Sequence, residues 1–463
     1  MTYQPPPNGW RTFLIVWATQ SVSVFGSALT FFAITIWLTQ TMYPLPEQKP
    51  ELAIALSLVS LAGGLPIIFG APIAGAWADR HDRKRTMMLT DFASGCVGLL
   101  GATLMIMQLL NLGIVIVIAA IASGLAAFHA SAFDTSYAML VPDHQLPRAN
   151  GMMQTMFALS GILSPSAAAL IISSPGLARQ GIIPGNIGAT LATLHDGAPL
   201  AIGIDAITFF LAATALIFLY IPSPKRTDLH SADGKIKKSI WADVKEGALY
   251  IWHRRPMLWL LGTFTVVNFV SAPLGVFMPL IVKFNLASDW SVHGMTFETA
   301  MALVATMGSI GGVIGGVLIS AWGGLKHRRV YGILAPMILI GIAMVTFGFS
   351  PLIYLTACAA MVGQGMSPIT NAHSQAIWQV QTPRELQGRV FAVRRLIAQF
   401  SVPLSTAMAG IFGGLFNPGI VIAVLGGILI VFCIGQFFNP YLLRVEDKEY
   451  LDQLALQQSR ATD

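Results

Sequence analysis

The sequence has little charge. Asp, Glu, Lys and Arg make up only 10% of its 463 residues, whereas 55% are hydrophobic. A soluble globular domain carries about 25% charged residues, so this chain has too few to cover its surface in water. The shortage excludes the ordinary soluble class and indicates a membrane protein. Cysteine is also scarce, and Cys96, Cys358 and Cys433 are interpreted as small apolar fillers inside predicted helices.

Patterns that carry enzyme chemistry are missing as well. The glycine-rich run GSIGGVIGG, at 308–316, lacks the lysine of a phosphate-binding loop and lies inside an apolar segment. It therefore favours close helix packing. The sequence contains no metal-ligand cluster, catalytic triad or paired acid–base site. We expect no enzymatic activity, no ATP-driven transport by this chain alone, and no bound cofactor or metal.

What the sequence does have is long apolar runs. A membrane-spanning helix needs about 20 apolar residues, and several uncharged runs are long enough for two helices divided by Gly or Pro. Span 1 is too long for a signal peptide and is expected to remain in the protein. The runs predict twelve spans, numbered in chain order: 12–40, 52–77, 86–109, 112–139, 149–174, 199–221, 257–283, 298–322, 329–349, 352–378, 389–414 and 417–439.

The basic residues predict the topology. Of the 27 Lys and Arg residues, only Lys49, Arg179 and Lys283 lie in or beside odd-numbered loops. Because Lys and Arg collect on the cytoplasmic side, both termini are expected in the cytoplasm, with the protein in the plasma (inner) membrane. The net charge of +6 then reflects topology and contact with anionic lipid headgroups. No nucleic-acid partner is needed to explain it.

The longest polar stretch divides the chain into two halves of six spans. Its amphipathic pattern, with Trp241 and Val244 on the same helical face as Ala248 and Ile251, fits a helix on the inner membrane surface and equally a linker helix packed on the protein. The predicted segments are an N-terminal six-helix bundle at 1–221, a cytoplasmic linker with an amphipathic helix at 222–256, a C-terminal six-helix bundle at 257–439 and a cytoplasmic tail at 440–463.

The two halves repeat landmarks at one offset. Gly75 is matched by Gly316 and Pro142 by Pro383, in both cases 241 positions later. Both prolines lie between the fourth and fifth span of their half. Two six-span repeats with matching landmarks are typical of secondary transporters.

The stretch GAWADRHDRKR, at 75–85, concentrates charge between spans 2 and 3. Its basic residues fit a cytoplasmic loop, but acids add little to topology, so the acid at 79 needs another explanation. In the family signature given in the next sentence, a glycine stands at the position that Asp82 occupies here. The stretch resembles the signature loop of the major facilitator superfamily, G-x-x-x-D-R-x-G-R-R/K, and matches it at Gly75, Asp79, Arg80, Arg83 and Lys84.

The resemblance implies a gate at the cytoplasmic end of the first half, built from this loop with Gly75 and Arg80. It implies that Arg83 bridges to an acid at the inner end of span 4, which here is Asp134. We call Asp79, Arg83 and Asp134 the latch, and the resemblance implies that the latch holds the outward-facing state.

The second half carries an altered copy of the loop, GVLISAWGGLKHRR. Ser320 and Gln375 stand at the positions of Asp79 and Asp134, so gating is expected mainly in the first half. The segment at 383–405 is similar to spans 10–11 of the macrolide-efflux and siderophore-export branch of drug–proton antiporters. The expected fold is an all-α membrane protein, with twelve spans in two pseudo-symmetric six-helix bundles around a midplane cavity.

Ionisable residues inside spans are rare and costly, which makes them candidates for proton coupling. Asp205 in span 6 is the first candidate, followed by His129 in span 4 and His373 in span 10. For each, a hydrogen bond that only stabilises helix packing is the alternative. Asp91 also lies in a span, near the inner end of span 3, and has no assigned role.

The candidate substrate cavity is apolar, aromatic or amide in character, which suits a bulky lipophilic solute. Span 1 has no acid, which argues against a strong preference for cationic drugs. For each aromatic residue, ordinary core or lipid-facing packing is the alternative. The candidates are Gln20, Phe25, Phe32, Asn268, Phe277, Gln364, Asn371 and Gln399.

These observations favour a monomeric secondary transporter that exports a lipophilic small molecule by alternating access, with proton coupling. Its expected partners are that substrate, protons and membrane lipids. Three alternatives stay open: a nutrient importer on the same fold, a lipid or lysolipid flippase and, more remotely, a membrane receptor or scaffold that transports nothing.

Overall fold

The protein is helical, with no strand over the residues that the computed structural model describes, which are 6, 8–142, 145–221, 240–383 and 386–462. Side chains at 79, 138, 147, 240–244, 455 and 458–462 lie outside that description. The helices are α1 (Gly9–Trp37), α2 (Lys49–Arg80), α3 (Arg83–Ile106), α4 (Leu112–Leu140), α5 (Leu146–Arg179), α6 (Gly185–Ala192), α7 (Ala198–Phe218), α8 (Ile240–Trp252), α9 (Arg255–Ser271), α10 (Leu274–Leu280), α11 (Ala287–Val292), α12 (Phe297–Trp322), α13 (Tyr331–Phe349), α14 (Ile353–Gln381), α15 (Gln387–Leu415), α16 (Pro418–Gln436), α17 (Pro440–Leu443) and α18 (Lys448–Thr462).

The predicted spans correspond to α1–α5, α7, α9 with α10, and α12–α16. Eleven helical segments of the described chain are long and apolar enough to cross a membrane. The remaining span is α14, whose 29 residues extend about 43 Å against a hydrocarbon core of about 30 Å. Polar residues such as Asn371 and Gln375 lower its mean hydropathy. The prediction of an all-α membrane protein with twelve spans is confirmed.

The chain forms two compact units. The first contains Met1–His230 with Trp290–Thr306, and the second contains Ser231–Asp289 with Met307–Asp463. In the first unit α1 packs against α5 and α7, α3 against α7, and α2 against α4. In the second unit α9 packs against α15, and α13 against α14 and α16. Trp290–Thr306, which falls in the predicted C-terminal bundle, thus groups with the first unit, and 222–239 of the predicted linker lies outside the described residues.

Both units end the first span of their half in a π-helical turn, Leu38–Met42 after α1 and Ile281–Asn285 after α10. These turns are repeated features of the two halves that no landmark in the sequence indicated. The segment 175–198, between predicted spans 5 and 6, is partly helical, since α5 continues to Arg179 and α6 follows it.

Glycines bring α12 and α14 into close contact in the second unit. A Cβ on Gly311 would overlap the carbonyl oxygen of Met361, and a Cβ on Gly315 would overlap that of Gly365. A Cβ on the neighbouring Gly312 would meet nothing within 4 Å. The glycine-rich run thus lets two helix backbones touch, as small residues do in membranes.

The described part of α8 packs on the second unit. Glu246 Oε2 lies 2.7 Å from Arg389 Nη1 of α15, and the Tyr250 hydroxyl donates to Gln381 O of α14 at 2.6 Å. Ile251 is buried, and burial raises the pKa of Tyr250. These contacts favour the interpretation of a linker helix packed on the protein. The predicted contributions of the side chains at 241 and 244 lie outside the described residues.

Candidate functional site

One face of α1 carries a polar stripe inside the first unit. Gln20, Ser23, Ser27 and Thr30 follow one another at intervals of three or four residues, which places them on one side of a helix. Each donates to α3 or α7. We call these four residues the α1 stripe. Their spacing was visible in the sequence, but only Gln20 was singled out there.

Asp205 of α7 is hydrogen-bonded by the C-terminal part of this stripe, Ser27 and Thr30. Thr30 Oγ1 donates to its Oδ2 at 2.7 Å, and Ser27 Oγ donates to its Oδ1 at 3.4 Å. Asp205 is only 6% exposed. A Cβ on Gly26 would come within 2.7 Å of Asp205 Oδ1, so this glycine allows α1 to approach the carboxyl group.

Asp91 of α3 is hydrogen-bonded by Gln20, the N-terminal residue of the stripe. Gln20 Nε2 donates to its Oδ2 at 3.1 Å, and His129 Nε2 of α4 lies 3.2 Å from its Oδ1, off the line of a regular hydrogen bond. Asp91 is 1% exposed, whereas the His129 side chain is 17% exposed. The structure therefore joins three residues from three helices, of which the sequence analysis had named Gln20 and His129 for separate roles.

His373 of α14 has both ring nitrogens engaged by the backbone. Its Nε2 accepts a hydrogen bond from Leu325 N at 2.9 Å, so Nδ1 carries the hydrogen and donates to Ile369 O at 2.8 Å. The ring is 2% exposed and packs on Gly332, where a Cβ would collide with it. This environment matches the helix-packing alternative better than proton coupling.

The charged loop joins the ends of several helices. Arg83, 8% exposed, donates from Nη1 to Thr135 O of α4 at 3.1 Å and from Nε to Ala78 O of α2 at 3.4 Å. Lys84 Nζ donates to Ile217 O at the end of α7 at 3.0 Å. Cations at helix C-termini are stabilised by the helix dipole, so the loop ties three helix ends together.

The latch itself stays a prediction. Arg83 donates to the backbone oxygen of Thr135, the neighbour of Asp134. The Asp134 side chain is exposed on α4. The Asp79 side chain lies outside the described residues, and Arg80 is exposed at the end of α2. Gly75 faces α4, where its nearest neighbour would be Ser131 Oγ at 3.7 Å from an added Cβ.

The residue that departs from the signature has a local role. Asp82 is the N-cap of α3, and its Oδ1 accepts from Arg85 N at 2.9 Å. Its φ is −64°, an ordinary value. At the corresponding position of the second half, Gly323 has a φ of +77°, which favours glycine. The two loops therefore turn differently.

Two arginines of the second unit, Arg329 in the altered copy and Arg394 on α15, lie beside polar partners, and Arg329 Nε is 4.0 Å from Glu446 Oε1. Arg329 N donates to Glu446 Oε2 of the tail at 2.7 Å. Arg394 of α15 donates to Gln375 Oε1 at 2.7 Å and to Ser374 Oγ at 3.1 Å. Gln375, which stands at the position of Asp134, thus holds a cation without carrying a charge.

The proposed cavity residues fall into two groups. Phe32 and Phe277 are buried in the cores of their units, and Asn268 Nδ2 donates to Ala398 O at 2.9 Å, so these three support packing. Phe25 is half-buried, and Gln20 is engaged by Asp91. The exposed candidates are the amides Gln364, Asn371 and Gln399 of the second unit.

Each unit holds one notable cavity. In the first unit a cavity of about 240 Å³ is lined by charged and polar residues that include Thr41, Arg179, His195, Asp196 and Glu298. In the second unit an apolar cavity of about 340 Å³ lies between α9, α10, α15 and α16. It is lined mainly by aromatic and aliphatic side chains, among them Phe269, Phe277, Phe412 and Phe416. Among the described residues, no group of three or more His, Cys, Asp or Glu could hold a metal ion.

Comparison with known proteins places these features in a family. The sequence profile of the Major Facilitator Superfamily matches residues 16–406. Macrolide efflux protein A of Streptococcus pyogenes is 27% identical over 411 residues, which cover 88% of this chain and 90% of that protein. The multidrug efflux pump Tap of Mycolicibacterium fortuitum is 25% identical over 366 residues, covering 77% and 80%.

Solved structures share the fold at lower sequence identity. A bacterial homologue of the human lysosomal transporter Spinster, in an inward-facing and unoccupied conformation, superposes with a TM-score of 0.60 at 15% identity, covering 99% of this chain and 98% of that one. The nucleoside transporter NupG superposes with a TM-score of 0.65 at 12% identity, covering 91% and 98%. At these identities the likeness concerns the fold.

Proposed function

The chain belongs to the major facilitator superfamily, and we propose that it exports a lipophilic small molecule in exchange for protons by alternating access. The observation that carries the proposal is the pair of buried carboxyl groups, Asp91 and Asp205, both hydrogen-bonded to the α1 stripe. A proton-driven transporter needs ionisable groups inside its spans, and such groups are costly enough to be kept for function.

The substrate proposal is supported by the efflux relatives. Their names refer to macrolides and to multiple drugs, and a macrolide is a bulky, largely apolar molecule. The exposed amides Gln364, Asn371 and Gln399 offer hydrogen bonds without charge, as a neutral or weakly basic substrate needs. α1 offers no acid to a strongly cationic drug.

The energetics support coupling to one proton. One elementary charge that moves through 100 mV gains about 2.3 kcal/mol, and this free energy sustains a concentration ratio of about 50. Protonation of Asp205 or Asp91 would remove a buried charge and change its hydrogen bonds to α1. The proposed consequence is a change in how α1 packs within the first unit.

Gating is assigned to the charged loop. Arg83 and Lys84 join the ends of α2, α4 and α7, and in this proposal the latch of Asp79, Arg83 and Asp134 opens and closes with the transport cycle. The distribution of Lys and Arg supports a topology with this loop and both termini in the cytoplasm.

The test uses proteoliposomes that contain the purified protein, a radiolabelled macrolide and an imposed proton gradient. We expect gradient-driven macrolide movement that Asp205→Asn removes. Asp452→Asn, the same chemical change on a half-exposed tail carboxylate that pairs with Arg254, is the matched control and should transport normally. Gradient-driven movement in Asp205→Asn equal to that of the control would overturn the assignment of Asp205.

A second candidate function follows from the apolar cavity of the second unit. A volume of about 340 Å³ lined by Phe269, Phe277 and Phe412 fits an acyl chain as well as a drug, which favours a lipid or lysolipid flippase. The same proteoliposomes with a fluorescent lysolipid distinguish the two. Translocation of the lysolipid, with no movement of the macrolide, would replace export of a drug by movement of a lipid.

A further inference from the structure

Asp91 is the second of the two buried carboxyl groups, and the proposed function assigns it no step separate from that of Asp205. Its partner Gln20 lies ten residues before Thr30, the partner of Asp205, on α1, which is a rise of about 15 Å along that helix. The α1 stripe connects the two groups, because Ser23 and Ser27 lie between these residues on the same face. Ser27 already donates to Asp205, and Ser23 donates to Thr208 O one turn further along α7.

His129 gives Asp91 a connection to solvent. The imidazole Nε2 lies 3.2 Å from Asp91 Oδ1, and its side chain is 17% exposed while that of Asp91 is 1% exposed. Nε2 itself is buried against the carboxyl group and makes no regular hydrogen bond, so the exposed part of the side chain lies elsewhere on the imidazole, and the ring stands between Asp91 and solvent. His129 lies five residues from Asp134 on α4, and Asp91 lies eight residues from Arg83 on α3. The pair is therefore near the charged loop.

The stripe ends beyond Asp205. At the next positions of the same spacing on α1 stand Ile34 and Trp37, which carry no hydroxyl group. The row of polar side chains thus runs from the end near the charged loop to Asp205 and stops there.

Few other charges face this row. α1, α3, α4, α5 and α7 are the helices packed around it; Cys96, mid-way along α3, is an exposed thiol, and apart from His129 their remaining charged side chains stand near the helix ends. They are Arg11 on α1, Arg83, Lys84 and Arg85 on α3, Asp134 on α4, and Arg148 and Arg179 on α5.

From this geometry we propose that Asp91 and Asp205 are successive proton-binding groups on one path along α1, and that His129 is the residue through which protons enter and leave at the end near the charged loop. The proposal rests on the proposed proton coupling and extends it. An imidazolium at His129 gives its Nε2 proton to the Asp91 carboxylate, leaving neutral imidazole and a carboxylic acid. The proton then passes to the Asp205 carboxylate, and Asp91 is again ionised.

The first test needs no substrate. Infrared difference spectra of the purified full-length protein, recorded between acidic and alkaline buffer, report protonation of each buried carboxyl group. We expect one carboxylic-acid signal to disappear in Asp91→Asn and another in Asp205→Asn, while Asp452→Asn keeps both. His129→Gln should slow proton–deuterium exchange of both the Asp91 and the Asp205 signal, because protons reach both groups through His129. A spectrum of Asp91→Asn identical to that of Asp452→Asn would overturn the proposal.

The second test separates a single path from two independent sites. In macrolide proteoliposomes, one path predicts that Asp91→Asn and Asp205→Asn each lose gradient-driven transport completely, while macrolide–macrolide exchange continues and shows that both variants fold. Gradient-driven transport that persists in either single variant would overturn the path. If the wild-type protein moves no macrolide, the proposed substrate fails, and the infrared spectra still decide whether Asp91 binds a proton.

Discussion

Acids stand in the first unit where the second unit has uncharged residues. At the offset of 241 positions, Asp91 corresponds to Gly332 and Asp134 to Gln375. The difference is general, because no Asp or Glu occurs at 299–384 or at 386–445. Spans 8 to 12, apart from the first residue of span 8, therefore contain no carboxyl group.

The same replacement occurs in a turn whose geometry both units keep. Asp196 Oδ1 accepts from Ala198 N and Asn417 Oδ1 accepts from Gly419 N, each at 2.9 Å. Each is also bonded by a side chain of the π-helical turn of its unit, Thr41 in the first and Asn285 in the second. The repeat has kept its hydrogen bonds and lost its charge in one half. The geometry of this turn therefore does not depend on a carboxyl group. By the same reasoning, the buried acids of the first unit are available for proton binding.

The largest expected effect concerns the close contact of α12 with α14 in the second unit. Gly311→Ala places a methyl group on the carbonyl of Met361, and we expect it to destabilise the protein by about 3 kcal/mol or more. Gly312→Ala meets open space and should be tolerated, as should Gly75→Ala in the first unit. Thermal stability by size-exclusion chromatography measures this. Equal stability of Gly311→Ala and Gly312→Ala would contradict the close backbone contact.

Substitutions of His129 in the first unit and His373 in the second unit should separate effects on proton coupling from effects on stability. His129→Gln should reduce gradient-driven transport and leave the melting temperature nearly unchanged, because the ring is partly exposed and lacks a regular hydrogen bond at Nε2. His373→Gln should do the reverse, since it removes two backbone hydrogen bonds worth about 1 kcal/mol each. Loss of coupling in His373→Gln with normal stability would mean that the second unit takes part in proton transfer.

The arginines of the two units are expected to differ in stability effect. Arg83→Lys loses the fork that reaches carbonyl groups of two helices, and we expect a cost of about 2 kcal/mol. Arg394→Lys should cost less, because Arg394 is only half-buried and bonds side chains of one helix. Chemical denaturation of both variants gives the comparison. A larger cost at Arg394 would contradict the role of the charged loop in joining helix ends.

The smallest effect distinguishes the two loops. Asp82→Ala removes the N-cap of α3 and should cost about 1 kcal/mol, whereas Asp82→Gly should cost only a few tenths. Gly323→Asp, the converse change in the second unit, should cost more, because a φ of +77° is unfavourable for a residue with a side chain. Melting temperatures of the three variants check the order. Equal melting temperatures for Asp82→Ala and wild type would show that the cap is not needed.

Much of the fold could be predicted from the sequence, because an apolar run long enough to cross a bilayer has few alternatives. The site was predicted in part. Asp205 was named only because an ionisable residue inside a membrane span is energetically costly. The intervals between Gln20, Ser23, Ser27 and Thr30 can be read from the sequence. The contact of Gln20 and His129 with Asp91 was not predictable, because it depends on how three helices rotate about their axes. The choice between cavity and core for Phe32 and Phe277 stayed open in the sequence for the same reason.

The most direct test of the central claim, that protons bind to carboxyl groups of the first unit, is proton release on substrate binding. A macrolide is added to the purified protein in weakly buffered solution, and the pH change is recorded for the wild type, Asp205→Asn and Asp91→Asn. The account predicts that the wild type releases protons and that each variant releases fewer. Release of the same number of protons by the wild type and both variants would contradict it.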